Sequence, residues 1–413
     1  MMQLLYNFFI SLLSVAIRFA SLFNSKAKDF RIGRKNFKEQ LESLSKTGKD
    51  KILIHCASLG EFEQVRPLLE MIRKEDPELF IHLTFFSPSG YEVRKNYAHA
   101  DLITYLPLDT KSNANLLLDQ GNYRFIIFVK YEFWFNLLQS IKQRNIPCFL
   151  VSGILWESQQ FFKWYGKWFA KQLSSFTHFF VQNKTTASLL KSIGYQNVSI
   201  SGDGRFDRVV ELSKQYFESK EIEKMIGKNP CLILGSAWQK EIEFTRKFVN
   251  KGCRFKVIIA PHVIDQKEID QILSDFPNSC RLSRMESESS KEEIQTIVVD
   301  QIGILSKLYR YGTIAFIGGG FGSGVHNTLE ASVYGCPVIF GPNYERFQEI
   351  KDLIEIGSGF SVHNYEEFEQ LLTHDLVGEQ LTTASVKAKD YVISKAGASN
   401  YICSYLQKNK LLG

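Results

Sequence analysis

No C-x-x-C pair occurs among the seven cysteines, which are scattered from Cys56 to Cys403. A disulfide framework and a zinc site are therefore both unexpected, and a reducing compartment fits this usage. No D-x-D occurs anywhere, which argues against a diphosphate held through a metal ion. No aromatic-and-basic RNA-binding signature accompanies the net charge of +6, so nucleic acid is not the expected partner. That modest excess suits phospholipid, phosphate or a nucleotide. Neither an internal repeat nor a low-complexity stretch interrupts the chain. With 44% hydrophobic and 23% charged residues over 413 positions, a folded protein of two domains is expected.

The N-terminus also lacks charge: no charged side chain precedes Arg18. As a helix, residues 1–17 span roughly 26 Å at about 1.5 Å per residue, just short of a hydrocarbon core of about 30 Å. Gln3, Asn7, Ser11, Ser14, Arg18 and Ser21 fall in one stripe, with Leu4, Leu5, Phe8, Leu12, Val15 and Phe19 around the rest. The cluster Lys26, Lys28, Arg31, Arg34, Lys35 and Lys38 is opposed only by Asp29. This combination predicts a membrane anchor over 1–23 on the cytoplasmic side, which either spans the bilayer or lies on it. The usual basic start and small-residue cleavage site of a signal peptide are missing.

From Lys51 onward, short apolar runs alternate with helical patterns, the signature of parallel sheets with crossover helices. The pattern restarts at Cys231, after a polar stretch. The expected organisation is a first domain over 24–210, a linker over 211–228 and a second domain over 229–413. Two Rossmann-like α/β domains facing a cleft are predicted. The last helical segment, roughly Ala384 to Leu411, either stays with the second domain or crosses back.

The strongest local signal is Ile314-Ala-Phe-Ile-Gly-Gly-Gly-Phe-Gly-Ser-Gly-Val-His-Asn-Thr-Leu-Glu330, an apolar strand ending in five glycines within seven residues. Gly320, Gly322 and a helix starting near Asn327 point to phosphate bound by backbone amides, with Glu330 placed for ribose hydroxyls. The glycine spacing does not match a dinucleotide fingerprint. Gly235 and Ser236 end another strand; they are either a second phosphate contact or a turn with a helix cap. His262 is either a base-pocket residue or a structural hydrogen-bonder. In the first domain, Ser58, Gly60 and Glu61 follow a strand, and Glu61 is either a helix-capping carboxylate or a general base. Glu132 ends another strand as a second carboxylate. The segment Phe161–Lys171 mixes aromatic and basic residues; it is either a lipid-facing surface or, for half of its aromatics, part of the core.

Taken in order, these blocks resemble the 3-deoxy-D-manno-octulosonic acid (Kdo) transferases. The resemblance rests on Ser58-Leu-Gly-Glu61, Thr84-Phe-Phe-Ser-Pro-Ser-Gly90, Tyr105-Leu-Pro-Leu-Asp109 and Glu132-Phe-Trp134. It continues through Gly202-Asp-Gly-Arg-Phe-Asp207, Gly235-Ser236, His326-Asn-Thr-Leu-Glu330 and Gly335-Cys-Pro-Val-Ile-Phe-Gly-Pro342. It implies a GT-B fold and an inverting, metal-independent transfer of Kdo from CMP-Kdo to a lipid A precursor, without a cofactor, at the inner membrane. It also implies Glu61 as base, Glu132 with Ser58 and Gly60 on the acceptor side, and Gly235, Ser236, His262, Gly320, Gly322, Asn327 and Glu330 on the donor. Where many members have Pro-Arg-His, this chain reads Ala260-Pro-His262, and its glycine loop is richer than the common Gly-Gly-His. Two rivals remain: a GT-B enzyme using a UDP-sugar, and a catalytically silent nucleotide-binding protein.

Overall fold

The computed structural model describes residues 2–288 and 294–412. Met1, 289–293 and Gly413, which the expected anchor and second domain include, lie outside the described residues. The chain divides into two compact units, one of Met1–Arg208 with Ala396–Gly413, the other of Val209–Lys395.

The first unit is built on a seven-stranded parallel sheet. Its strands are β1 (Lys51–Cys56), β2 (Phe80–Phe85), β3 (Leu102–Tyr105), β4 (Tyr123–Val129), β5 (Cys148–Gly153), β6 (His178–Val181) and β7 (Val198–Ile200). Their order is β3-β2-β1-β4-β5-β6-β7, so the direction of winding reverses between β1 and β4. Helices on both faces explain why β1 is buried at every position instead of alternating. One face packs Phe62, Val65, Leu68 and Leu69 of helix Leu59–Glu75 on Ile52, Ile54 and Phe125.

The second unit repeats the plan with β8 (Cys231–Ala237), β9 (Lys256–Pro261), β10 (Ser279–Arg281), β11 (Thr296–Val298), β12 (Ile314–Ile317), β13 (Val338–Phe340) and β14 (Gly359–Ser361). The order is β10-β11-β9-β8-β12-β13-β14, with the reversal between β8 and β12. Two parallel Rossmann-like units of this kind make a GT-B fold, and one apolar helix, Met2–Ala20, precedes them.

The structure moves one boundary of the sequence reading and decides the alternative left open for the C-terminal segment. Residues 211–228 are not a free linker but part of the second unit. Arg310 Nη2 donates to the Gln215 carbonyl at 2.6 Å, Arg310 Nη1 donates to the Phe217 carbonyl, and the Ser219 amide donates to Tyr311 Oη at 2.7 Å. The C-terminal segment is two helices, Gly378–Lys395 and Ala398–Lys408, broken at Gly397, whose φ of +123° favours glycine. The second helix belongs to the first unit, because Ile402, Cys403 and Leu406 join the core that contains Leu68 and Leu69. Asp207 anchors its start by accepting from the amides of Gly397 and Ser399, the latter at 2.7 Å.

Candidate active site

In open parallel sheets, ligands bind beyond the carboxyl ends of the strands where the winding reverses. The candidate residues of the first unit follow β1 and β4, the two strands flanking its reversal. Ser58 is the N-cap of helix Leu59–Glu75 in extended conformation, but its hydroxyl makes no capping bond. Instead Glu61 folds back and accepts from the Ala57 amide. Its carboxyl is buried, with 5% of its surface exposed. Burial and then the charge of Glu132 raise its pKa to about 7, while the amides of Ala57 and Ser58 and the charge of Lys130 pull it down. Glu61 therefore both caps the helix and sits at the pKa a general base needs near neutral pH.

Glu132 is held from the other side. Trp134 Nε1 donates to Glu132 Oε2 at 2.9 Å and lies 3.1 Å from His55 Nε2. His55, fully buried, meets Thr84 Oγ1 through Nδ1 at 3.0 Å. Thr84 Oγ1 in turn donates to the Ile54 carbonyl at 3.4 Å. That direction makes Thr84 the acceptor of Nδ1–H and leaves His55 Nε2 as an acceptor facing Trp134. Lys130 takes φ +70° where β4 ends, which turns Tyr131 and Glu132 over the strand ends. For a non-glycine residue this costs about 1 kcal/mol. Gly60 stands open: a Cβ there meets nothing nearer than Ser58 Oγ at 4.0 Å.

The second-unit candidates cluster likewise, at the ends of β8, β9 and β12. Gly235 Cα lies so close to Tyr309 Oη that a Cβ would fall 1.8 Å from it, so packing alone demands glycine there. Gly320 is similarly pressed against Gly341, whereas Gly322 stands free of such contact. Ser236 takes φ +51°, and its carbonyl abuts Gly318. The Gly318 amide donates to the Gly235 carbonyl at 2.9 Å, which joins the β8 turn to the glycine loop.

His262 stacks on two neighbouring rings that lie side by side. Trp238 stacks on it at 4.3 Å between centroids and 19°, and His326 at 4.7 Å and 23°. Trp238 Nε1 donates to His326 Nε2 at 3.2 Å, which requires that nitrogen to be unprotonated. Burial and the neighbouring His262 lower the pKa of His326. Beneath them Glu241, with no exposed surface, accepts from the Trp238 amide at 3.0 Å and the Gly319 amide at 3.1 Å. The helix expected near Asn327 spans only Leu329–Ser332, one turn, so its dipole is small. Asn327 Oδ1 accepts from the Leu329 amide at 3.1 Å and its Nδ2 donates to Glu330 Oε1 at 3.0 Å.

The structure thus gathers Ser58, Gly60, Glu61 and Glu132 in one place, and Gly235, Ser236, His262, Gly320, Gly322, Asn327 and Glu330 in another. His55, Trp134, Lys130, Trp238, Glu241 and Tyr309 join them without having been singled out. Among the described residues no group of His, Cys, Asp and Glu is arranged to hold a metal ion.

Residues 34–208 match the family model of 3-deoxy-D-manno-octulosonic-acid transferase (kdotransferase). A 3-deoxy-D-manno-octulosonic acid transferase of Aquifex aeolicus is 29% identical over 341 residues, covering 80% of this chain and 87% of that protein. The chain is similar to Kdo transferases along most of its length and carries their N-terminal domain over residues 34–208. It is a glycosyltransferase. A bifunctional glycosyltransferase/methyltransferase of Fusobacterium nucleatum is 26% identical over 378 residues, 87% of this chain, which spans only 55% of that relative. Among solved structures, the UDP-GlcNAc 2-epimerase of Neisseria meningitidis superposes with a TM-score of 0.60 at 16% identity, covering 87% of this chain and 100% of that one. At that identity the likeness bears on the fold of this chain, not on its chemistry.

Proposed function

We propose that the chain transfers Kdo from CMP-Kdo to a lipid A precursor (lipid IVA) in lipopolysaccharide synthesis, at the cytoplasmic face of the inner membrane. The transfer is a single inverting displacement. Glu61 takes the proton from a sugar hydroxyl of the acceptor, whose oxygen attacks the anomeric carbon of Kdo as CMP leaves with the bonding pair. The observation that carries this reading is the buried Glu61 carboxyl with its pKa at about 7 beside a second carboxylate. A positioned base of this kind is worth about 10²–10⁴ in rate.

The supporting roles follow from the surroundings of each group. Glu132, fixed by Trp134, sets the basicity of Glu61 and accepts from an acceptor hydroxyl, with Ser58 and Gly60 lining the approach. In the second unit the amides around Gly320 and Gly322, with the Gly235 turn and the Ser236 hydroxyl, receive the donor phosphate. The flat ring of His262, backed by Trp238 and His326, stacks on the cytosine. Asn327 and Glu330 take the ribose hydroxyls.

The test uses detergent-solubilised protein with CMP-Kdo generated in place and a tetraacylated lipid A precursor, the lipid then being weighed by mass spectrometry. A gain of Kdo units is expected, lost in Glu61→Gln while CMP still binds. No gain from folded protein, or displacement of CMP by UDP at equal concentration, overturns the proposal.

A further inference from the structure

The helix Met2–Ala20 has two faces in different surroundings. Gln3, Tyr6, Asn7, Ile10, Ser14 and Ile17 recur at helical spacing and are buried or half-buried. Three of them are bonded to the body of the first unit. Gln3 Nε2 donates to Asn136 Oδ1 at 2.7 Å, and Asn136 Nδ2 donates to Asn7 Oδ1 at 2.9 Å. Tyr6 Oη donates to Asp109 Oδ2 at 2.6 Å. Asn136 and Asp109 are only 3% and 4% exposed, and Asp109 also accepts from the amides of Asn136 and Leu137. On the opposite face Leu4, Leu5, Phe8, Phe9, Leu12, Val15 and Phe19 are between 45% and 74% exposed. A contiguous apolar surface of that extent marks a binding face.

We infer that this helix lies in the plane of one leaflet of an anionic bilayer instead of crossing it, and that Trp164 and Tyr165 enter the same leaflet beside it. Length does not decide the matter, since nineteen residues reach about 28 Å against a core of about 30 Å. The bonded face does. A spanning helix would carry Gln3, Tyr6 and Asn7 into hydrocarbon without partners and would take from Asn136 and Asp109 the bonds they make to it. Docked flat, the helix keeps every one of those bonds and turns a mainly apolar face outward, with Arg18 near its end.

Trp168 links the second contact to the first, its ring 6.4 Å from Tyr6 and 5.3 Å from Phe135. Just before it, Trp164 is 89% exposed and Tyr165 53%. Lys163, Lys167 and Lys171 around them are exposed, with no acidic residue from 158 to 171. Arg18, Lys28 and Arg31 beyond the helix are exposed as well, and Asp29 is the sole acid before Glu39. Positive charge flanking an apolar surface, with aromatic rings at its edge, complements anionic headgroups.

The inference is independent of the sugar donor, and its test does not use the reaction. Full-length protein carrying a cysteine-bearing tag ahead of residue 1 is added to preformed sealed vesicles of phosphatidylglycerol and phosphatidylethanolamine, then floated. An impermeant maleimide should label the tag, above the background of the untagged chain, as fully without detergent as with it. Labelling that requires detergent would show a crossing helix and overturn the in-plane placement. Failure to float, or equal binding to vesicles without the anionic lipid, would overturn the bilayer as partner. The double variant Trp164→Ala, Tyr165→Ala should weaken vesicle binding roughly tenfold with an unchanged melting temperature. Unchanged binding would remove the second contact.

Discussion

The indole of Trp134 fixes the carboxylate of Glu132, with Nε1 standing 2.9 Å from Oε2. The consequence falls on a different residue. Glu132 is the largest charged influence on Glu61, and it pushes that carboxyl in the same direction as burial does. Trp134 is itself tied to buried His55, which is tied to Thr84, so the pair is governed by a chain of polar contacts rooted in β1 and β2.

The pH dependence of turnover follows. As a base Glu61 works only when ionised, so kcat/KM should fall as pH drops through about 7. Glu132→Gln removes the neighbouring negative charge and should move this limb to lower pH. Lys130→Met removes a positive charge that favours ionised Glu61 and should move it to higher pH. Rate profiles between pH 5 and 9 check both directions; a limb that stays put in both variants would assign the titration to another group.

Much of this architecture is legible in the sequence because both sheets are buried on two faces. Strands such as Lys51–Cys56, with Ile52-Leu-Ile54 at its centre, and Ile314–Ile317 read as apolar runs, and the turns after them stand out by Ser, Gly and Glu. The strands that escape notice are short, at a sheet edge or polar: Leu102–Tyr105, Ser279–Arg281 and Gly359–Ser361. The polar stripe of the N-terminal helix is visible, but not that Asn136 and Asp109, more than a hundred residues away, pair with it. Glu241 is hidden for the same reason. It lies at the start of a helix like any capping residue, and its bond to Gly319 spans 78 positions. Length and charge likewise make 211–228 look like a linker, since the bonds from Arg310 and Tyr311 that dock it come from far downstream.

Gly60 offers a separation of stability from function. It lies in the first turn of helix Leu59–Glu75, outside the left-handed region, and a Cβ there meets no close neighbour. Alanine favours a helix over glycine by about 0.5–1 kcal/mol. Gly60→Ala should therefore melt at or above the parent temperature while its transfer rate falls, if the acceptor approaches Glu61 past Gly60 as proposed. Retained activity would place the acceptor elsewhere.

Glu241 should behave in the opposite way, as a structural support of the proposed donor site. Alanine there leaves the buried amide of Gly319 and the part-buried amide of Trp238 unpaired, a destabilisation of about 1–3 kcal/mol. Glutamine retains an acceptor oxygen and should lose less. Urea unfolding of the two variants, with CMP titrations by calorimetry, should show the alanine variant weaker in both. Parent-like stability for Glu241→Ala would mean that water replaces the carboxylate.

Ser236 combines strain with a hydroxyl, and two substitutions take them apart. At φ +51° a serine is held in a conformation that costs about 1 kcal/mol relative to glycine. Ser236→Gly removes the strain and the hydroxyl together, so the protein should become more stable by up to about 1 kcal/mol and bind CMP less tightly. Ser236→Ala keeps the strain and removes only the hydroxyl, so stability should hold while CMP affinity falls as far as in the glycine variant. Equal affinity losses in the two would identify the hydroxyl as the donor contact. If affinity survives in alanine and drops in glycine, the turn's rigidity is what the donor needs. Strain at this strand end then serves to aim the backbone amides next to the Gly318 loop.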